Sequence, residues 1–253
     1  MAKQLGRRIP VRLVKGAYWD AEIKRAQMDG QAGYPLFTRK QNTDVSYIAN
    51  ARRLLDAGDA IYPMFATHNA QTIAAIRAIA QGRPYEHQKL HGMGDDLYAE
   101  VVPADRLGVP CRVYAPVGSH EDLLPYLVRR LLENGANSSF VNRITDEDVP
   151  VADLIQDPVT TVAGFESIPH PRIPLPRDLY TQQGFDRDNS MGANFADDNE
   201  LQALAARLDE HAGPWRAAPL VPGATLAGDA ITVTSPADRR QVVGQWQPAD
   251  AAT

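Results

Sequence analysis

The chain has 253 residues, of which 44% are hydrophobic, enough for one moderate core. Twenty-six Lys and Arg against 31 Asp and Glu leave a formal net charge of -5, which offers no global case for nucleic-acid binding. One cysteine, Cys111, excludes an intramolecular disulfide framework and a Cys-rich metal site. No stretch approaches the ~18 apolar residues of a membrane span, and the N-terminus lacks the apolar run of a signal peptide. A cytoplasmic chain is the expectation.

The totals conceal two unlike parts. Residues 1–145 carry 19 Lys and Arg against 14 acids, a net of +5. Residues 146–253 carry 7 Arg and no Lys against 17 acids, a net of -10. The shift marks a boundary. It is followed by a stretch, 146–199, rich in Pro, Asp and Asn, whose PHPRIPLP run (Pro169–Pro176) reads as extended chain.

In chain order, Ile9–Gly16 is a strand candidate. Val45–Leu55 reads as a helix, with Val45, Ile48, Ala49, Ala51, Leu54 and Leu55 on its apolar face. Ala60–Thr67 is the next strand; its proline argues for an edge position in isolation, although a barrel strand can carry one near its start. Asn69 is placed to cap the Ala-rich helix Ala70–Ala80. Tyr85–Leu90 is a weakly patterned third strand, and Val109–Gly118 contains a fourth. Ser119 opens a helix with a capping-box sequence through Asp122 and an apolar stripe of Leu123, Leu124, Leu127, Val128, Leu131 and Leu132. Gly135 is its expected terminator. Tyr126, Arg129, Arg130 and Glu133 share the opposite face, ordinarily a solvated one. Asp198–His211 is a further helix and Ala230–Thr234 a short strand.

Alternating strands and helices at this spacing predict a parallel α/β sheet, either an open sandwich or half of an eightfold barrel. Neither GxGxxG after a strand nor GxxxxGK[ST] occurs. Polar residues gather instead at the strand ends: Arg12 and Lys15, Thr67-His68-Asn69, Gln88 with His91, and Arg112 with Tyr114. Ligands bind at the C-terminal ends of parallel strands. The scattered histidines show no metal-ligand spacing, so no metal is expected.

The string VRLVKGAYWDAEIKRAQMDG (Val11–Gly30) resembles the flavin-dependent proline dehydrogenase domain of the bifunctional proline utilization A family. So do TRK at Thr38–Lys40, FATHN at Phe65–Asn69, HGMG at His91–Gly94, CRVYAPVG at Cys111–Gly118 and YLVRRLLENGANSSFVNR at Tyr126–Arg143. PHPRIPLPRDLY (Pro169–Tyr180) resembles the connector after that domain, and VTSPADRRQVVGQW (Val233–Trp246) the opening of the aldehyde dehydrogenase half. The resemblance implies an α/β chain forming the C-terminal half of a (β/α)8 TIM-like barrel over 1–145, a connector over 146–199, and the truncated start of a glutamate semialdehyde dehydrogenase region over 200–253. It thus implies an internal fragment lacking the first four strands. An open half-barrel exposes two sheet edges and lacks half the cavity wall, so the isolated chain is expected to bind FAD weakly or not at all. A non-catalytic fragment or interaction module stays open as the alternative to an enzyme part.

The resemblance also implies roles. Arg12 matches an arginine near the reactive edge of FAD, where a fixed donor stabilises charge on the reduced flavin. Lys15 would steady flavin or substrate, Gly16 allow close backbone approach, and Trp19 contact flavin or pack against a helix. Thr38 and Lys40 resemble contacts to the dinucleotide's phosphate and adenosine end. Thr67, His68 and Asn69 resemble contacts along its ribityl, phosphate and adenine portions. Gln88 and Leu90 would touch the ring, line the substrate pocket or serve the fold alone. Tyr114 matches a substrate-pocket tyrosine, and Tyr126, Arg129, Arg130 and Glu133 a helix-borne group in which two arginine forks hold the carboxylate of L-proline. Glu133 would steady Arg129 across one turn, and 138–142 would add cofactor contacts. The implied reaction passes a hydride from proline C5 to flavin N5, giving 1-pyrroline-5-carboxylate. NAD belongs only to the aldehyde dehydrogenase region. A quinone at the membrane is the implied electron acceptor, with peripheral attachment to the inner membrane in intact relatives, and oligomers are possible.

Overall fold

A computed structural model describes residues 2–16, 18–135, 143, 146, 148–211, 213–222 and 228–249. The chain divides into two compact units, Met1–Met191 and Gly192–Thr253.

The first unit is α/β. Its strands are β1 (Ile9–Leu13), β2 (Ile61–Ala66), β3 (Glu86–Leu90) and β4 (Cys111–Tyr114). All pair in parallel, in sequential order β1-β2-β3-β4. The connections carry α1 (Trp19–Met28), α2 (Lys40–Asp56), α3 (Ala70–Ala80) and α4 (Asp95–Ala99); α5 (His120–Gly135) follows β4. Asn69 caps α3 as its sequence predicts, its Oδ1 accepting from the Thr72 amide at 3.0 Å. Ser119 does the same for α5 at 3.4 Å, while its hydroxyl donates to the Asp122 carboxylate.

One face of the sheet is closed by helices. Phe65 of β2 meets Tyr47, Ala51 and Leu55 of α2, Ile73 and Ile76 of α3, and Tyr98 of α4 in a single buried cluster, with Leu13 and Cys111 at its margin. The Tyr47 hydroxyl donates to the carbonyls of Ala66 and Leu13, tying α2 to two strand ends. Pro63 lies in an inner strand, as the barrel alternative for Ala60–Thr67 allows. The weakly patterned Tyr85–Leu90 run forms the third strand over Glu86–Leu90. The apolar stripe of α5 is largely uncovered, Leu131 and Leu132 being 64% and 61% exposed; its periodicity signals a face that buries, without naming what buries it.

His87 is fully buried in this core, against Phe65, Tyr85 and Tyr98. Neither ring nitrogen finds a well-formed hydrogen bond. Burial drives its pKa down to about 4, partly offset by the Phe65 backbone. Because the folded value lies below the ordinary 6.5, the contribution is complete above pH 6.5 and declines as pH falls toward 4. The unfolded chain takes up the proton first, a loss of up to about 3 kcal/mol. Urea midpoints should therefore drop from pH 7.5 to 5, and His87→Leu should flatten that slope. Parallel midpoint curves for the two proteins would remove His87 as the cause.

The stretch 146–191 holds two short helices, α6 (Val151–Leu154) and α7 (Pro158–Ala163), and two single turns, Pro176–Asp178 and Thr181–Gln183. Short helices thus punctuate the stretch expected as a connector. It is also firmly docked. Asn42 Nδ2 donates to Ile168 O at 2.9 Å, the Tyr34 hydroxyl to Pro174 O at 2.6 Å, and Asn189 Nδ2 to Gln27 O at 2.7 Å.

The second unit carries α8 (Asp198–Glu210), capped by Asp197, and a three-stranded sheet in the order β5 (Trp215–Ala217), β7 (Val242–Trp246), β6 (Ile231–Thr234). β5 is parallel to β7 and β6 antiparallel.

Candidate functional site

The residue period of a strand puts alternate side chains on opposite faces. With Phe65 and Leu13 on the helix side, Arg12, Met64, Glu86, Gln88, Arg112 and Tyr114 take the other face, and the register sets them side by side. They form one connected group. Arg12 Nε donates to Gln88 Oε1 at 2.9 Å. Gln88 Nε2 donates to Glu86 Oε1 at 3.1 Å and lies 3.2 Å from Met64 Sδ. Arg112 grips the Glu86 carboxylate through Nε and Nη2 at 2.8 and 3.0 Å, and the Tyr62 hydroxyl reaches it at 3.4 Å. The Arg112 fork holds the Glu86 carboxyl below its usual range, although Glu86 itself is buried. The Arg12 guanidinium sits 4.8 Å from the Tyr114 ring centroid.

At the C-terminal ends of the strands, α5 adds a second group. Arg130 lies 4.6 Å from the Tyr126 ring centroid and 5.3 Å from that of Tyr18; Arg129 lies 5.6 Å from Tyr18 and pairs with Asp20. Burial raises the Tyr114 phenol, and the charges of Arg12 and Arg130 both oppose that rise. Glu133 and the stretch 138–142 have no described side chains, and their expected roles lie outside the described residues.

The remaining candidates divide by what already holds them. Lys15 pairs with Asp44 at 2.5 Å over the Tyr47 ring, and Lys40 pairs with the same carboxylate at 2.9 Å. Burial lowers the Lys15 pKa against the pull of Asp44. Thr67 Oγ1 accepts from the Asn69 amide at 3.1 Å, keeping its own proton to donate. His68 Nε2 accepts from the Leu90 amide at 3.3 Å, which leaves the proton on Nδ1; burial and Lys89 lower its pKa and keep it neutral. Leu90 is 2% exposed, which favours the packing role over contact with a ligand. The Trp19 indole donates to Phe37 O at 2.8 Å. Thr38 Oγ1 accepts from the His170 amide at 2.9 Å, a tie to the connector. Gly16 has open space where a side chain would be.

Glu86, Tyr18 and Asp20 escaped the sequence reading. Period-two alternation along Glu86–Leu90 places Glu86 beside Gln88, which was the available signal. Tyr18 and Asp20 stand inside the quoted Val11–Gly30 string, but only the fold carries them to the arginines of α5. Among the described residues, no group of three His, Cys, Asp or Glu is placed to hold a metal ion.

The family model for proline dehydrogenase matches residues 1–143. The bifunctional protein PutA of Escherichia coli is 52% identical over 96% of this chain and 19% of its own length. A solved Bradyrhizobium japonicum proline utilization A point mutant is 50% identical, with a TM-score of 0.74 over 82% of this chain and 21% of that one. Bdellovibrio bacteriovorus proline utilization A, solved after inactivation by N-propargylglycine, is 31% identical, with a TM-score of 0.75 over 97% and 25%. The chain therefore spans about a fifth to a quarter of these relatives.

Proposed function

Because the chain belongs to the proline dehydrogenase family, we propose that residues 1–145 supply the second half of a (β/α)8 barrel that oxidises L-proline to 1-pyrroline-5-carboxylate with FAD. The observation that carries the reading is the joining of Arg12, Gln88 and Tyr114 on one face of a parallel sheet, in a chain whose residues 1–143 match the family. The donor set fits a dinucleotide flavin. Arg12 donates to a neutral amide rather than to a carboxylate, so its charge stays available to an electron-rich ring. The Thr67 hydroxyl and His68 Nδ1 retain protons to donate to ribityl or phosphate oxygens.

Bound FAD would supply the two-electron acceptor for the hydride leaving proline C5, as the amine loses a proton and the C=N bond forms. The chain's own residues do the placing. Arg129 and Arg130 hold the substrate carboxylate in two planar forks, and the Tyr18 and Tyr126 rings keep those forks oriented. Tyr114 forms a wall of the ring pocket.

The same reading assigns 146–199 as connector and 200–253 as the opening of an aldehyde dehydrogenase region, where NAD would serve. No described helix is long and apolar enough to cross a membrane; a cytoplasmic protein passing electrons to a membrane quinone is the proposed setting. The exposed apolar stripe of α5 favours a second reading, in which the chain by itself is a non-catalytic module. One experiment separates them. Proline added anaerobically to the flavin-loaded protein should bleach the flavin and release a product trapped by o-aminobenzaldehyde. An unchanged flavin spectrum would reject the enzyme reading.

A further inference from the structure

The connected group on the open face of the sheet has an internal polarity. A glutamine amide is chemically two-ended: one end only accepts and the other only donates. Gln88 turns its oxygen to Arg12 and its NH2 to Glu86. Arg12, which can only donate, calls for the oxygen end, and Glu86 holds the opposite end. An ionised carboxylate can only accept, so a charged Glu86 admits the NH2 end and rejects the oxygen. Glu86 stays charged despite being 5% exposed because Arg112 grips it with two nitrogens.

We propose that Glu86 and Arg112 are positioning residues for Arg12, acting through the orientation of Gln88, so that the Arg12 guanidinium is fixed with its terminal nitrogens toward the candidate flavin. The proposal rests on the flavoenzyme reading above. Four observations support it. Arg12 shares a register row with Met64 and Glu86, and Gln88 shares the next one with Arg112, so the relay is built on backbone hydrogen-bonded strands. Gln88 is 6% exposed, so water does not compete freely for its amide. Arg12 is also held from the other side by the Tyr114 ring, so the amide oxygen and the aromatic face together set its plane. Arg112 keeps a 66% exposed side chain, consistent with a cation that serves Glu86 rather than the core.

Glu86→Gln tests this directly, because it changes charge and polarity with almost no change in shape. Gln at 86 offers a neutral amide oxygen in place of a carboxylate and can itself turn NH2 toward Gln88, so the orientation of Gln88 is no longer fixed from that side and its bond to Arg12 loosens. The fold should persist, since the stranded Arg112 is already largely in water. In the flavin-loaded protein, exchange of the 15N-labelled Arg12 Nε–H should speed up about tenfold, the loss of one charge-assisted hydrogen bond. The flavin midpoint potential should shift negative and kcat should fall by a similar factor, with flavin content retained. The swap Glu86→Gln with Gln88→Glu restores an acceptor facing Arg12 and should restore slow Nε–H exchange. Unchanged exchange in Glu86→Gln, or no recovery in the swap, would overturn the relay. If the native protein shows no proline-dependent flavin reduction, the functional reading fails, while the Arg12 exchange rate still decides the relay.

Discussion

In an intact protein of this family, Arg129→Ala and Arg130→Ala should each lower kcat/KM for L-proline by roughly thirtyfold to several thousandfold, the equivalent of about 2–5 kcal/mol for truncating one side of a buried charge pair. The loss should appear without a matching loss of FAD, because the candidate flavin contacts lie on β1–β3 and the loops after them. The two substitutions should differ in detail. Arg130 is held between the Tyr18 and Tyr126 rings, so its removal leaves two aromatic faces without their cation. Arg129 is paired with Asp20, so its removal also leaves a carboxylate near the incoming substrate carboxylate, and KM should rise further. Steady-state kinetics with flavin occupancy measured beside them check this. Near-native turnover in both variants would return the arginines to the solvated face that their helix position alone suggests. Activity lost in proportion to flavin would move them to cofactor retention.

Gly30→Ala should destabilise the first unit by about 2–4 kcal/mol, combining a left-handed backbone with steric overlap. Gly30 has φ +57°, and a Cβ there would lie 1.6 Å from the Ser190 carbonyl oxygen. The backbone of the docked connector occupies the space a side chain needs. Asn189, beside Ser190, is tied to Gln27 and Pro176, so the connector cannot move aside without giving up those bonds. Denaturant midpoints should fall, and limited proteolysis should cut near 185–191 faster than in the native protein. Gly33→Ala is the internal control, since nothing lies within 4 Å of its added carbon. Equal stability and equal cleavage for both variants would mean that the connector does not rest on Gly30 in solution.

The connector shows how composition can mislead. Its Pro, Asp and Asn content does oppose long regular elements, and it forms only one- and two-turn helices. Composition is silent about docking, because the bonds that hold it come from single side chains on α1, α2 and the loop between them, such as Tyr34 and Asn42. Thr38 adds a tie that its TRK motif does not announce: its hydroxyl oxygen accepts from the His170 amide 132 positions away, which leaves its proton to donate.

What the amino-acid sequence by itself determined was local and periodic. Strand alternation, the Asn69 and Ser119 caps and the apolar face of α2 follow from interactions within a few residues, and the motif strings identify the family. The pairing of Arg12 with Gln88 across 76 residues, the grip of Arg112 on Glu86 and the pairing of Arg129 with Asp20 across 109 were decided by tertiary structure alone. Each depends on strand register or on where a helix end comes to lie. A one-residue slip of β3 would send Gln88 and Glu86 to the helix side and bring His87 to the site, with no change in any local propensity.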